Sequence, residues 1–287
     1  MSLTWRELYK KGTSILAENN IDDAEFDAFQ LILFVSGFKK NDYFLNYINI
    51  VPPEKERNYF DCISRRVNNE PLQYIIGEWD FYKHRFYVGK GVLIPRPETE
   101  ELVELCIKII KQRNYKTILD LCTGSGCIGL SIADACPDTE CILVDLYDGA
   151  LDFTKRNCKR LDLNNVRIVK WDVFDCPDDS FPVFDLIVSN PPYIPEREIS
   201  SLQKEVLNEP LTALDGGEDG LIFYREIYKK WIGSLSDNGA VAFECGENQT
   251  DDIIEIFKEV FECEAFLDSF GKDRFVFCSK SVKGDLC

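Results

Sequence analysis

TILDLCTGSGCIGLSIADACPDTECILVDL, residues 117–146, is the stretch whose reading decides the fold. Thr117 to Leu121 is a short apolar run closed by a glycine cluster, as expected of a strand buried on both faces. CIGLSIADA then spaces its apolar residues for a helix, and CILVD (141–145) is a second apolar strand. Parallel strands need a crossover of this kind, so the stretch reads as a βαβ unit. Working outward, the pattern repeats. ELVELCIKIIKQ (101–112) is a helix, and VRIVKWD (166–172), FDLIVSN (184–190), AVAFECG (240–246) and RFVFCSK (274–280) are strands. The spacing predicts an α/β domain with a largely parallel, doubly wound sheet from residue 96 to 287.

Upstream the periodicity is helical. Thr4 and Glu7 form a capping box ahead of Trp5, Leu8, Tyr9, Ile15 and Leu16. Asp22 to Phe38 predicts a second helix ended near Gly37, and Pro52-Pro53 opens a third with Tyr59, Phe60, Ile63 and Val67 on one face. Residues 1–75 thus read as a small helical domain, suited to docking rather than chemistry. Between them and the sheet, residues 76–95 read as a hairpin linker, with Gly89-Lys90-Gly91 as its turn.

The chain of 287 residues carries 33 Lys and Arg against 50 Asp and Glu, a net charge of −17, and a single histidine, His84. With 45% hydrophobic residues it has material for a sizeable core, which excludes disorder as its main state. The acidity disfavours a protein that coats nucleic-acid phosphates. Residues 1–75 hold only 9 basic and 11 acidic side chains, so most of the negative charge falls on the sheet-forming part. The 12 cysteines include no Cys-x-x-Cys pair, which argues against a zinc site and, with no apolar leader at the start, for reduced thiols. With no apolar run long enough to span a bilayer, a cytoplasmic location is expected.

Chemistry concentrates at two turns. The first is Asp120 to Gly129, where a strand ends, glycines let a ligand approach the backbone, and a helix offers free N–H groups. Gly124, Gly126 and Gly129 literally satisfy G-x-G-x-x-G, and Asp145 closes the next strand where a carboxylate accepts from ribose hydroxyls. An adenosine-type cofactor fits both features, while an ordinary tight βα turn reads the same glycines without one. Asp120 precedes the turn, where it can meet an ammonium group. S-adenosylmethionine has one and NAD does not. Asp172 and Val173, at a third strand end, suit an adenine amino group and ring.

The second turn is Asn190-Pro191-Pro192-Tyr193, at the end of FDLIVSN. Prolines have no N–H, so this stiff segment offers acceptors only, and Asn190 adds a side-chain carbonyl. Such a pair suits a planar –NH2 group, with Tyr193 covering its face. Delocalisation makes an amide or aryl amine nitrogen a poor nucleophile. Acceptors that draw on its hydrogens help it towards a tetrahedral transition state, and positioning against a sulfonium methyl supplies the rest. Neither a metal nor a histidine base is called for.

With Gln73-Tyr74-Ile75-Ile76-Gly77-Glu78-Trp79, Leu93-Ile94-Pro95-Arg96-Pro97-Glu98-Thr99-Glu100, Asn190 to Tyr193, Glu209-Pro210 and Ala213-Leu214-Asp215-Gly216-Gly217, nearly the whole chain resembles the HemK-type release-factor glutamine methyltransferases. The resemblance implies a Rossmann-like S-adenosylmethionine-dependent domain behind a small helical recognition domain and a hairpin linker. It implies methyl transfer to the side-chain amide of the glutamine in the Gly-Gly-Gln tip of peptide chain release factors. Cofactor contacts are then expected from Asp120, Cys122, Thr123, Gly124, Ser125, Gly126, Asp145, Asp172, Val173 and Asn190. Catalysis is expected from Asn190, Pro191 and Tyr193, and a glutamine pocket from Asn190, Pro191, Pro192 and Tyr193. Release factors would be the partners of a monomer with no stable nucleic-acid or membrane binding. Cys122 departs from the family's usual small residue, and Val173 from the aromatic of some relatives. Asn-Pro-Pro-Tyr alone is shared with methyltransferases of adenine or guanine amino groups in nucleic acid, which stands as the alternative. An NAD-dependent oxidoreductase or a non-catalytic scaffold leaves that turn unexplained.

Overall fold

A computed structural model describes residues 2–280, which form two compact units: the residues up to Glu78 with Gln203–Asn208, and Trp79–Leu202 with the residues from Glu209 onward. In the first, α1 (Trp5–Glu18) begins on the expected capping box: Thr4 Oγ1 accepts from Glu7 N, and Glu7 Oε2 accepts from Thr4 N at 2.8 Å. α2 (Ala24–Ser36) ends on Gly37 in the left-handed conformation. α3 (Lys40–Asn46) was not foreseen; α4 (Pro53–Val67) starts on its proline, and α5 (Leu72–Ile76) closes the series. The buried face of α4 is Tyr59, Cys62, Ile63 and Arg66; Phe60 and Val67 are only half-buried. Arg66 lies between two carboxylates, with Nε 2.5 Å from Asp27 Oδ2 and Nη2 2.8 Å from Glu205 Oε2.

The hairpin is present, but its turn is not at the glycines. β1 (Glu78–Phe81) and β2 (His84–Tyr87) meet at Tyr82-Lys83, where Tyr82 takes φ of 54°. Gly89 to Gly91 follow the hairpin, within the same unit. His84 sits on β2, its Nε2 3.0 Å from Asp134 Oδ2, in keeping with a structural role.

The remaining elements are α6 (Thr99–Arg113), β3 (Thr117–Leu121), α7 (Cys127–Ala135), β4 (Glu140–Asp145), α8 (Asp148–Arg160), β5 (Val166–Lys170), β6 (Phe184–Ser189), α9 (Glu196–Ile199), α10 (Ile222–Lys230), β7 (Leu235–Glu244), α11 (Thr250–Phe257), β8 (Glu262–Leu267) and β9 (Asp273–Ser279). The strands form one sheet in the order β5-β4-β3-β6-β7-β9-β8, parallel from β5 through β7, with β9 antiparallel to both neighbours. Side chains along β3 alternate between two cores. Ile118 joins one with α6 and α7, while Leu119 and Leu121 join the other with Tyr224, Trp231 and Phe257. The sheet is thus covered on both faces, as its continuous apolar strands require.

The chain moves outward from β3 through β4 to β5, then restarts at β6 on the other side of β3. The switch point lies between β3 and β6, and ligands of open α/β sheets bind outside the strand ends there. Ser189 Oγ donates to Leu121 O at 2.6 Å and ties the two strand ends together. The expectation of reduced thiols needs one correction. Cys263 and Cys278 are register partners on β8 and β9, with Cα atoms 4.0 Å apart, and form a disulfide. Pairing across strands brings together residues whose separation in sequence gave no hint. The other nine cysteines among the described residues are free, and Cys287 lies outside them.

Candidate active site

A cleft at the switch point encloses about 770 Å³ of space, its open mouth included. The glycine turn forms one wall. Gly126, with φ of 83°, caps α7. Gly129 must be small because a Cβ there would meet Asp120 Oδ2 at 2.8 Å and Leu143 Cγ at 2.7 Å. α8 braces the turn from behind: Thr154 Oγ1 donates to Gly124 O at 2.8 Å, and Asn157 Nδ2 donates to Ser125 O at 2.9 Å.

Asp145, at the end of β4, lines the cleft. Its Oδ2 accepts from Gly124 N at 2.9 Å and its Oδ1 from Tyr147 N at 3.0 Å. Burial raises its carboxyl above the usual range, opposed by those backbone donors. A carboxylate has about four lone-pair sites, so each oxygen keeps capacity for a further donor. Asp172 accepts from Phe174 N at 2.9 Å, and Val173 O accepts from the buried Trp231 Nε1 at 2.9 Å, which pins this strand end to the core. The cleft is otherwise apolar and aromatic: Leu146, Tyr147, Trp171, Phe174 and Phe223, with the last two rings 5.1 Å apart.

Of the residues expected from the sequence, Cys122, Gly124, Asp145, Asp172, Val173, Asn190 and Pro192 line the cleft. Asp120 does not. Its Oδ2 accepts from Thr123 Oγ1 and from Gly129 N at 3.0 Å, so it holds the turn from within. Burial pushes its carboxyl up to about 7 against those donors. Thr123, Ser125 and Gly126 likewise shape the turn without lining the cleft. Cys122 takes φ of 58°, the left-handed region, at a strain of about 1 kcal/mol for a non-glycine residue. Burial, with Asp145 and Asp120 nearby, holds its thiol well above its ordinary value.

Asn190, at the end of β6, donates from Nδ2 to Thr99 Oγ1 at 3.3 Å, and Thr99 Oγ1 in turn donates to Glu244 Oε2 at 2.7 Å. Asn190 Oδ1 is buried and has no hydrogen-bond partner among the described residues. Pro191 and Tyr193 lie beside the cleft rather than in its wall. Tyr193 packs against the second core, and burial raises its phenol well above its ordinary value. Gln249 Nε2 donates to Tyr193 O at 2.9 Å. Opposite, Arg96 and Ile94 N both bind the Glu209 carboxylate, which joins the segment after the hairpin to Pro210 and Ala213 at the mouth. Sequence reading missed Tyr147, Phe174 and Phe223. The first two follow strand-end aspartates at a spacing of two, a usable signal, whereas Phe223 on α10 carried none.

A doubly wound sheet with a glycine turn, a strand-end carboxylate and an acceptor turn gathered at one switch point defines a Rossmann-like methyltransferase. A methyltransferase of Pyrococcus furiosus shares the fold, with a TM-score of 0.51 at 17% identity, over 69% of this chain and 89% of that one. Two family models match: the PrmC N-terminal domain over residues 7–77 and the methyltransferase small domain over residues 100–227. Release factor glutamine methyltransferase of Clostridium botulinum is 39% identical over 280 residues, 94% of this chain and 97% of that protein. That of Thermodesulfovibrio yellowstonii is 40% identical over 237 residues, 80% and 84% of the two chains. The chain belongs to the release factor glutamine methyltransferase family.

Proposed function

We propose that this chain transfers a methyl group from S-adenosylmethionine to the side-chain amide nitrogen of the glutamine in the Gly-Gly-Gln motif of peptide chain release factors. The observation that carries the reading is Asn190 Oδ1, a buried acceptor at the cleft wall without a partner among the described residues. A buried acceptor left unmade costs about 1–3 kcal/mol, which a ligand N–H relieves.

The cleft suits the cofactor. Asp145 has lone pairs to spare for ribose hydroxyls, Asp172 and Val173 sit at the adenine end, and Phe174 and Phe223 offer flat apolar faces. Cys122, Gly124 and the N–H groups at the start of α7 take the amino-acid end, with Asp120, Thr123, Ser125 and Gly126 shaping that wall. When bound, S-adenosylmethionine supplies an electrophilic sulfonium methyl. The chain's own residues hold the nucleophile. Asn190 Oδ1 accepts one hydrogen of the glutamine –NH2, and the carbonyl of Pro191 accepts the other. Pro192 and Tyr193 shape the pocket, and the raised phenol keeps Tyr193 neutral against the substrate amide. Accepting both hydrogens favours a nitrogen that is becoming tetrahedral and positively charged, and fixes it for in-line attack. Recognition of the release factor falls to the helical unit, whose Phe44, Leu45 and Ile48 are exposed.

The test is incubation with purified release factor and labelled methyl donor, followed by mass spectrometry of the Gly-Gly-Gln peptide. Label on the glutamine is expected. Label on RNA or DNA with an unmodified peptide would overturn the assignment.

A further inference from the structure

We propose that Glu244, acting through Thr99, is a positioning residue that fixes which end of the Asn190 amide faces the cleft. The inference rests on the role given above to Asn190. Glu244 closes β7 and Thr99 opens α6; both side chains are buried, and 145 residues of chain separate them. A carboxylate only accepts hydrogen bonds. The single hydroxyl proton of Thr99 is therefore committed to Glu244 Oε2, at 2.7 Å. Thr99 Oγ1 then has only lone pairs to offer Asn190, so it receives the Asn190 amide nitrogen, at 3.3 Å. The opposite end, Oδ1, is what remains for a ligand. Were the amide reversed, Oδ1 would face an oxygen with no proton to give, and the cleft would receive two N–H donors. Those would repel the –NH2 of a glutamine.

Protonation of Glu244 removes the constraint. A carboxylic acid can donate to Thr99, which frees the Thr99 proton for Asn190 and admits the reversed amide. Burial pushes the Glu244 carboxyl up to about 7, while Thr99, Arg274 and Asn190 favour its charged form and Glu98 opposes it. Arg274 reaches it from β9, Glu98 from the segment before α6, and Tyr193 and the Cys245 and Cys127 thiols from its other sides. The Tyr224 hydroxyl on α10 binds its main-chain oxygen at 2.8 Å. Because the folded value lies above 4.5, the charged form and the productive amide are gained as pH rises through 7 and lost below it.

The experiment compares wild type, Glu244→Gln, Thr99→Val and Thr99→Ser on the full release factor between pH 5.5 and 8.5. Cofactor-product affinity is measured alongside, and the side-chain 15N signal of Asn190 is followed in the substrate-free protein. Expected are a wild-type kcat that falls on the acid side of about 7, and losses of ~10–100-fold in Glu244→Gln and Thr99→Val, as for a misplaced reacting group. Cofactor-product affinity should hold, Thr99→Ser should recover within a few fold, and Glu244→Gln should lose the acid limb. The Asn190 signal should titrate near 7 in wild type and not in Glu244→Gln. Normal kcat with an intact acid limb in Glu244→Gln, a Thr99→Ser as impaired as Thr99→Val, or an Asn190 signal insensitive to pH would each overturn the proposal. A wild type that leaves the glutamine unmodified defeats the assigned function instead, and the 15N titration still decides the network.

Discussion

Replacing Asn190 by alanine separates chemistry from architecture, because the structure assigns this side chain so little of the second. Among the described residues its Oδ1 makes no hydrogen bond, its Nδ2 bond to Thr99 Oγ1 is long at 3.3 Å, and its other polar neighbour is the Glu244 carboxylate. Truncation at a cleft wall leaves no sealed cavity. The cost to the fold is therefore one weak hydrogen bond, about 1 kcal/mol or less. For a domain of this size that lowers Tm by about 2–4 °C. The cost to the reaction is larger. Removing one preorganised group from a transition state lowers kcat by ~10²–10³, or about 3–4 kcal/mol. The assay is methyl incorporation into purified release factor at saturating donor and substrate, with thermal unfolding on the same preparation. Turnover within about threefold of wild type would refute the acceptor argument. A Tm fall well beyond the expected few degrees would show that Asn190 supports the fold after all.

Gly129→Ala places a Cβ 2.8 Å from Asp120 Oδ2 and 2.7 Å from Leu143 Cγ, and the expected destabilisation is about 1–3 kcal/mol by chemical denaturation; an unchanged midpoint would mean the turn has slack. Asp145→Asn turns an –NH2 towards one of the two backbone donors now bound by the carboxylate, so calorimetry should show about tenfold weaker binding of S-adenosylhomocysteine, with an unchanged affinity counting against Asp145 as a ligand. Most of the net charge of −17 falls outside residues 1–75, so kcat/KM for a release factor with basic patches should fall as salt rises through 0.1 M, where the Debye length is about 10 Å; a flat profile removes electrostatic steering.

The central apolar strands β3, β4 and β6 announced themselves because they are buried on both faces. β8 did not: its residues are exposed or half-buried at the sheet edge, so no apolar run marks it. The hairpin turn went to Gly89-Lys90-Gly91 because glycines usually supply positive φ, yet here Tyr82 supplies it. At the site, local motifs were readable and their partners were not. Asp145 and Asn190 stand at strand ends that pattern alone locates. Glu244 sits in AVAFECG with no motif to mark it, and only the packing of α6 against β7 brings it to Thr99. Asp120 shows a related limit. Its position on the strand was right, but whether a side chain enters a cleft or folds under a turn depends on donors such as Gly129 N, which sequence spacing does not orient.

The assignment of Gln203–Asn208 to the helical unit bears on how this protein can be cut. A truncation that begins at Trp79 would look like a clean catalytic fragment by position in the chain. It would strand Glu205 without Arg66, to which it is bonded at 2.8 Å, and Asn208 without the Asn69 carbonyl it binds at 3.0 Å. Those six residues lie between the Asn-Pro-Pro-Tyr turn and Glu209, so their loss of anchorage would fall on the loop that leads back to the cleft mouth. Fragment studies would then misjudge the sheet unit as intrinsically poor at turnover, when what failed is a segment that lost its own partners. A dissection faithful to the fold has to redesign that segment as well as remove the helices.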